Sequence, residues 1–163
     1  MKKNDNLKKV MAFGTFDAFH AGHENYLRQA KELGDYLMVI IARDDTVKKI
    51  KGNRPLHAER QRLASVKASG IADKVILGYH GDKYKVIHKY RPDIIALGYD
   101  QFVFTQRLKK TLIDIKLDAT VVRLTPYFPQ IYKSSLIKKA ALEMGNIHGN
   151  LEMKTSPILS KPA

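Results

Sequence analysis

Two histidines three positions apart, His20 and His23, mark a strand-to-helix junction in Phe19-His20-Ala21-Gly22-His23-Glu24. Upstream, the apolar run Val10-Met11-Ala12-Phe13 breaks at Gly14; downstream, a helical pattern opens near Gly22. A helix N-terminus presents unpaired N–H groups and the positive end of the peptide dipole, so phosphate is its natural guest. Imidazoles at that spot add donors that can follow charge building up on phosphorus. The chemistry implied is the handling of a nucleotide phosphate. Zinc ligation is the competing use of paired imidazoles. The chain has no cysteine and no His-Glu-x-x-His spacing, so no protein-held metal is expected on these side chains. A chance pair among six histidines is the other alternative, and its coincidence with the junction argues against it.

The residues before the pair extend the unit. Gly14 lets the backbone turn tightly and approach a phosphate closely. Thr15 offers a hydroxyl, Phe16 follows it, and Asp17 can orient a neighbour or the loop backbone. Neither a Walker phosphate loop nor a G-x-G-x-x-G accompanies them, so phosphate binding must come from this other arrangement.

Elements that could position such a site are legible as alternating patterns. Apolar runs occupy Val10–Phe13, Tyr36–Ala42, Lys74–Leu77, Asp93–Leu97 and Thr120–Leu124. Leu37–Ala42 and Ile94–Leu97 are continuous rather than alternating, which suits strands covered on both faces of a parallel sheet. Helical candidates lie between and after them at Gly22–Leu33, His57–Ser69, Tyr84–Tyr90, Phe104–Lys116 and Ser134–Met144, the last stopping at Gly145. The alternation predicts an α/β, Rossmann-like, doubly wound sheet of five parallel strands in a single domain. Ligands in such sheets bind beyond the C-terminal strand ends. The segments Gly14–His23, Arg43–Pro55, Gly98–Gln101 and Thr125–Ser135 fall there, at the expected strand-end loops. The domain is expected to span 1–145, with 146–163 a flexible extension.

With 163 residues, 44% of them apolar and 28% charged, the chain has the composition of one soluble globular domain. No apolar run approaches the roughly 20 residues of a membrane span, and no signal-peptide pattern opens the chain, so a cytoplasmic protein with no membrane partner is expected. The net charge of +13 attracts polyanions. The lysines are scattered over helical faces, and no helix-turn-helix spacing, RNP-type aromatic string or zinc finger is present, so no specific nucleic-acid partner is expected.

The string Gly14-Thr15-Phe16-Asp17-Ala18-Phe19-His20-Ala21-Gly22-His23 resembles the signature of the cytidylyltransferase-like nucleotidyltransferases. The similarity runs from about Val10 to about Lys139. Arg43-Asp44-Asp45 with Lys51-Gly52-Asn53-Arg54-Pro55 resembles the second-strand loop of that family, Glu59-Arg60-Gln61-Arg62 its Glu-x-x-Arg helix start, and Tyr132-Lys133-Ser134-Ser135-Leu136-Ile137 its late serine motif. Ile94-Ile95-Ala96-Leu97-Gly98-Tyr99-Asp100-Gln101 is most similar to the archaeal-type FAD synthetases, which adenylylate FMN. The resemblance implies transfer of a nucleoside monophosphate from a triphosphate to a phosphorylated acceptor, with release of pyrophosphate. ATP and FMN are the favoured substrates; a cytidylyltransferase using CTP and glycerol 3-phosphate, or a sugar-phosphate adenylyltransferase, is the alternative. It further implies magnesium held mainly by substrate oxygens, and a homodimer.

By the same resemblance His20, His23 and Lys51 are the catalytic candidates. Gly14, Thr15, Phe16, Ala21, Gly22, Asp100, Ser134 and Ser135 join the histidines around the nucleotide. Asp17, Lys51 and Arg62 are candidates for the acceptor and phosphates, Arg62 as a clamp. An isoalloxazine needs flat apolar walls, for which Tyr99, Phe102, Phe104, Tyr127, Phe128 and Tyr132 are available.

Overall fold

In the computed structural model, which describes residues 7–153, the apolar runs form strands β1 (Lys9–Gly14), β2 (Tyr36–Ile41), β3 (Lys74–Leu77), β4 (Ile94–Leu97) and β5 (Thr120–Arg123). They pair in parallel in the order β3-β2-β1-β4-β5. The helices are α1 (Ala21–Glu32), α2 (Asp44–Lys51), α3 (Glu59–Ala68), α4 (Lys85–Tyr90), α5 (Phe102–Asp114) and α6 (Ser134–Met153).

Continuous apolar strands are explained by what lies on each face. Val10, Ala12, Val39, Ile41 and Ala96 point to one side, where Leu27 and Ala30 of α1 and Val66 of α3 cover them. Met11, Phe13, Ile40, Ile95 and Leu97 point to the other, against Val86 and Ile87 of α4 and Leu108 and Leu112 of α5. The period of two thus sends alternate residues into two separate cores, and polar residues fit neither.

The two ends of the sheet are treated differently. At the N-terminal end, carboxylates close off free backbone amides: Lys8 N–H donates to Asp35 (2.8 Å), Lys9 N–H to Asp93 (2.7 Å) and Leu37 N–H to Asp73 (2.7 Å). At the other end β1 stays paired with β2 up to Gly14 but leaves β4 after Ala12. Since the chain winds from β1 outward in one direction and then returns to β4, this divergence is the topological switch point, where such sheets bind ligands.

Two expectations require correction. Arg43–Pro55 is not a plain loop, because α2 folds within it. Asp44 and Asp45 in its first turn and Lys48, Lys49 and Lys51 in its last complement the helix dipole, and Gly52 closes it in a left-handed conformation (φ 79°). α6 does not stop at Gly145 but continues through residues 146–153. A mid-helix glycine costs about 1 kcal/mol, which weakens a helix without ending it. The remainder of the expected extension, 154–163, lies outside the described residues. Among the described residues no helix is long and apolar enough to cross a membrane.

Candidate active site

Parting of β1 from β4 leaves backbone groups without their ladder partners, and two side chains take them up. The Tyr26 hydroxyl accepts from Phe13 N–H (3.3 Å) and lies 3.2 and 2.9 Å from the carbonyls of Phe13 and Ala96. Gln101 donates to the Phe13 carbonyl (2.7 Å) and accepts from Gly98 N–H (3.1 Å). Burial pushes the Tyr26 phenol pKa up, so it stays protonated and can donate. The crevice is thereby held open with these backbone groups paired. Tyr26→Phe should cost about 1–3 kcal/mol, the penalty of leaving those groups unpaired, read as a shift in the urea midpoint.

A cavity of about 540 Å³ opens there. The histidines sit on its α1 side with rings stacked at 3.8 Å between centroids. Their protonation pattern follows from their partners. His20, in extended conformation ahead of α1, accepts on Nδ1 from Gly22 N–H (3.1 Å), so in the neutral ring the proton is on Nε2. Ser134 at the start of α6 donates its single hydroxyl proton to the Asp17 carbonyl (3.0 Å), leaving lone pairs for Nε2 of His20 (3.4 Å) and of His23 (3.5 Å). Both imidazoles therefore present Nε2–H toward one point. The contacts are long, as is common before a substrate tightens them. His23 Nδ1 is buried without any hydrogen-bond partner, kept in place by Phe16 and Phe19 around the ring.

Burial lowers the pKa of His20, and it lowers that of His23 to about 3, with the positive charges of His20 and Lys51 adding to the effect and Asp17 partly offsetting it. Both rings are neutral donors at neutral pH. Below their ordinary pKa of 6.5 the unfolded chain takes up protons that the folded pair refuses, so stability must fall as pH drops from about 6.5 toward 3. Asp17 works in a lower window. Burial opposes its charge, but Lys138 and the amides of Leu56 and His57 outweigh that and hold the carboxyl at about 2, so its stabilisation is present above 3.8 and lost only as pH falls toward 2. Melting temperatures should therefore decline from pH 6.5 downward, and His23→Ala should flatten the upper part of the decline. An unchanged slope in that variant would assign the effect elsewhere.

Most of the expected site residues line the cavity: Gly14, Thr15, Phe16, His20, Gly22, His23, Lys51, Asp100, Ser134 and Ser135. Several are there for steric reasons. A Cβ on Gly14 would lie 2.6 Å from the buried Phe16 ring, and one on Gly22 would lie 2.9 Å from the His20 ring. Phe16 itself has a left-handed backbone (φ 53°), a strained conformation that aims its ring into the core under His23. Lys51 ends α2 on an exposed stretch, yet lost hydration around its ammonium and the charge of Lys138 lower its pKa, with Asp100 and Asp17 opposing.

Asp17, Ala21 and Arg62 stand apart. Ala21 opens α1 and is not in the wall. Asp17 is 2% exposed, and its carboxylate accepts from Leu56 N–H (2.6 Å) and His57 N–H (3.0 Å) while pairing with Lys138 of α6 (2.6 Å). It has no face left for an acceptor phosphate. Arg62 is 1% exposed and donates to the carbonyls of His57 (3.0 Å), Thr15 (2.6 Å) and Ala42 (2.8 Å) and to Asp44 (2.7 Å). The clamp expected on phosphate is instead a brace beneath the phosphate loop. Glu59 completes this brace by accepting from Arg43 (2.7 Å) and from Asp44 N–H (3.0 Å).

The aromatic residues divide as well. Tyr99, Phe104, Tyr127 and Tyr132 line the cavity, whereas Phe102 is 64% exposed beneath Arg123 and Phe128 packs edge-on against Tyr127 outside it. Sequence reasoning passed over Tyr26, Arg43, Tyr79, Lys83 and Gln101, all in the wall. Arg43 and Gln101 carried a signal, their places just beyond the ends of the second and fourth strands.

Known proteins are similar to this chain over most of its length. The FAD synthase of Thermoplasma volcanium is 38% identical over 136 residues, 83% of this chain and 95% of that protein. The FAD synthase of Methanosarcina barkeri is 41% identical over 141 residues, 85% and 100% of the two chains. Among solved structures, the lipopolysaccharide core biosynthesis protein from Thermoplasma volcanium superposes with a TM-score of 0.69 at 39% identity, covering 74% of this chain and 98% of that one. A Francisella tularensis pantoate-beta-alanine ligase, at 15% identity and a TM-score of 0.52, shares the fold. The cytidylyltransferase-like family model matches residues 11–140, from the first strand into the helix that brings Ser134 onto the histidines, and the chain belongs to that family.

Proposed function

We propose that this protein is an FMN adenylyltransferase, forming FAD and pyrophosphate from ATP and FMN. The observation that carries the reading is the pair of neutral Nε2–H donors converging at the N-terminus of α1 in a cavity with aromatic walls. Relatives named FAD synthase, 38% to 46% identical, supply the acceptor.

An FMN phosphate oxygen attacks the α-phosphorus of ATP in line; the new P–O bond forms as the bond to the β-phosphate bridging oxygen breaks, and pyrophosphate leaves with the electron pair. No general base is required, because a phosphate monoester with a second pKa near 6 is already largely ionised at pH 7. Catalysis is then positioning and charge stabilisation. His20 and His23 donate to triphosphate oxygens as charge builds, and Lys51 bridges the acceptor and α-phosphates as a mobile point charge. Ser134 releases its long contacts with the rings and joins the phosphate contacts with Ser135, while Asp100 faces the bound nucleotide. Magnesium, carried by the substrate oxygens, would supply charge neutralisation on the triphosphate and the leaving pyrophosphate. Asp100 is the single carboxylate in the described cavity wall, which fits a cation carried by the substrate oxygens.

Incubation with ATP, FMN and magnesium should yield FAD and pyrophosphate in equal amounts. Absence of FAD together with turnover of CTP and glycerol 3-phosphate would replace this reading with the cytidylyltransferase one.

A further inference from the structure

Three lysines line the cavity with no hydrogen-bond or carboxylate partner among the described residues: Lys51, Lys83 and Lys133. The charge of Lys51 acts on His23, and Lys133 is exposed where α6 begins. Lys83 has no role in the chemistry so far. It is half-buried in the turn between β3 and α4, with its ammonium 5.3 Å from the centre of the Tyr84 ring and 5.1 Å from that of Phe104.

The wall beneath it is a cluster of packed aromatic rings. Phe104 packs at 4.6 Å on Phe13 of β1 and at 5.1 Å on Tyr84, whose hydroxyl donates to the Phe104 carbonyl (2.9 Å). This wall belongs to the α4/α5 side of the sheet, whereas the histidines and Ser134 sit on the α1/α6 side. At that opposite side Tyr127, Tyr132 and His20 already run nearly parallel to one another. Burial and the charge of Arg107 lower the pKa of Lys83. Its ammonium has lost hydration that no protein acceptor replaces, so a ligand oxygen would complete it.

Resting on the FMN adenylyltransferase reading, we propose that Lys83 and the Phe104 wall form the subsite for the flavin ring. The Phe13–Phe104 surface takes the apolar part of the isoalloxazine, and Lys83 donates to a carbonyl oxygen on its pyrimidine edge. A phosphate is the other oxygen acceptor such an ammonium could take, but Lys51 and the histidines already converge on the phosphates.

Riboflavin has the ring and lacks the phosphate, so binding of riboflavin and of FMN, both followed by quenching of flavin fluorescence, separates the two contacts. Lys83→Met should weaken both flavins alike, by about tenfold or more, the loss of one charge-assisted hydrogen bond. Lys83→Gln should lose less, Lys83→Arg least, and the KM for ATP should stay unchanged in all three. Weakened FMN with unchanged riboflavin would move Lys83 to the phosphate and overturn the inference; unchanged affinity for both would overturn it too. A wild-type protein that binds neither flavin and makes no FAD would instead remove the parent reading.

Discussion

His20→Ala or His23→Ala should lower kcat for nucleotidyl transfer by about 10²–10³-fold, while the protein stays folded. The reason is directional. Each ring offers one N–H, and both are aimed at a single point that Ser134 weakly occupies at 3.4 and 3.5 Å. A donor so placed gains most when charge increases on the phosphate oxygens, so its loss falls on kcat more than on the KM for ATP. Stability should respond to pH as well for His23. Its Nδ1 is buried without a partner and its ring resists protonation down to about pH 3, so the gap in melting temperature between wild type and His23→Ala should narrow as pH falls below 6.5. His23→Gln, which can place an amide N–H near the lost Nε2–H, should recover part of the rate. Because the rings stack at 3.8 Å and share one target, the double variant should lose less than the product of the single losses. Retention of wild-type kcat within a few-fold in both single variants would mean that the chemistry is elsewhere.

What the chain discloses unaided depends on whether a residue acts locally. The central strands are legible because residues buried on both faces must be apolar without interruption, as Leu37–Ile41 and Ile94–Leu97 are. The histidine pair is legible because its spacing and the helix start lie within a few residues of each other. α2 left a local signal, two aspartates followed by three lysines and a glycine, that an apolar-period reading passed over because Val47 is its single buried residue. Asp17 and Arg62 are different. Nothing local distinguishes a carboxylate aimed at a phosphate from one aimed at the amides of residues 39 and 40 positions away. Lys83 shows the same limit: its aromatic wall is assembled from β1, the residue ahead of α4, and α5, and the nearest of these in sequence, Tyr84, carries locally only the signal of a helix start. Charge on a side chain is written in the sequence, but the direction in which it points is decided by packing.

Arg62→Ala should therefore destabilise the fold by about 3–5 kcal/mol, the range for removing one partner from a buried charged network. The guanidinium joins three segments through carbonyls of Thr15, Ala42 and His57 and holds Asp44 at 2.7 Å. Without it those carbonyls lose their donors, and the Asp44 carboxylate keeps only the bond from Glu59 N–H at 3.2 Å. Arg62→Lys should recover little, because three donors on a flexible stem cannot reach four acceptors that a planar fork meets together. Against a total stability of about 5–15 kcal/mol, such a loss should be plain in the urea midpoint. The experiment also separates brace from clamp. A phosphate clamp would leave the midpoint unchanged and raise the Kd for ATP directly. A brace should lower the midpoint first and disturb ATP binding only through the Thr15 carbonyl and the loop it anchors, so saturating ATP should restore part of the lost stability by mass action. An Arg62→Ala protein as stable as wild type but blind to ATP would return this residue to the substrate.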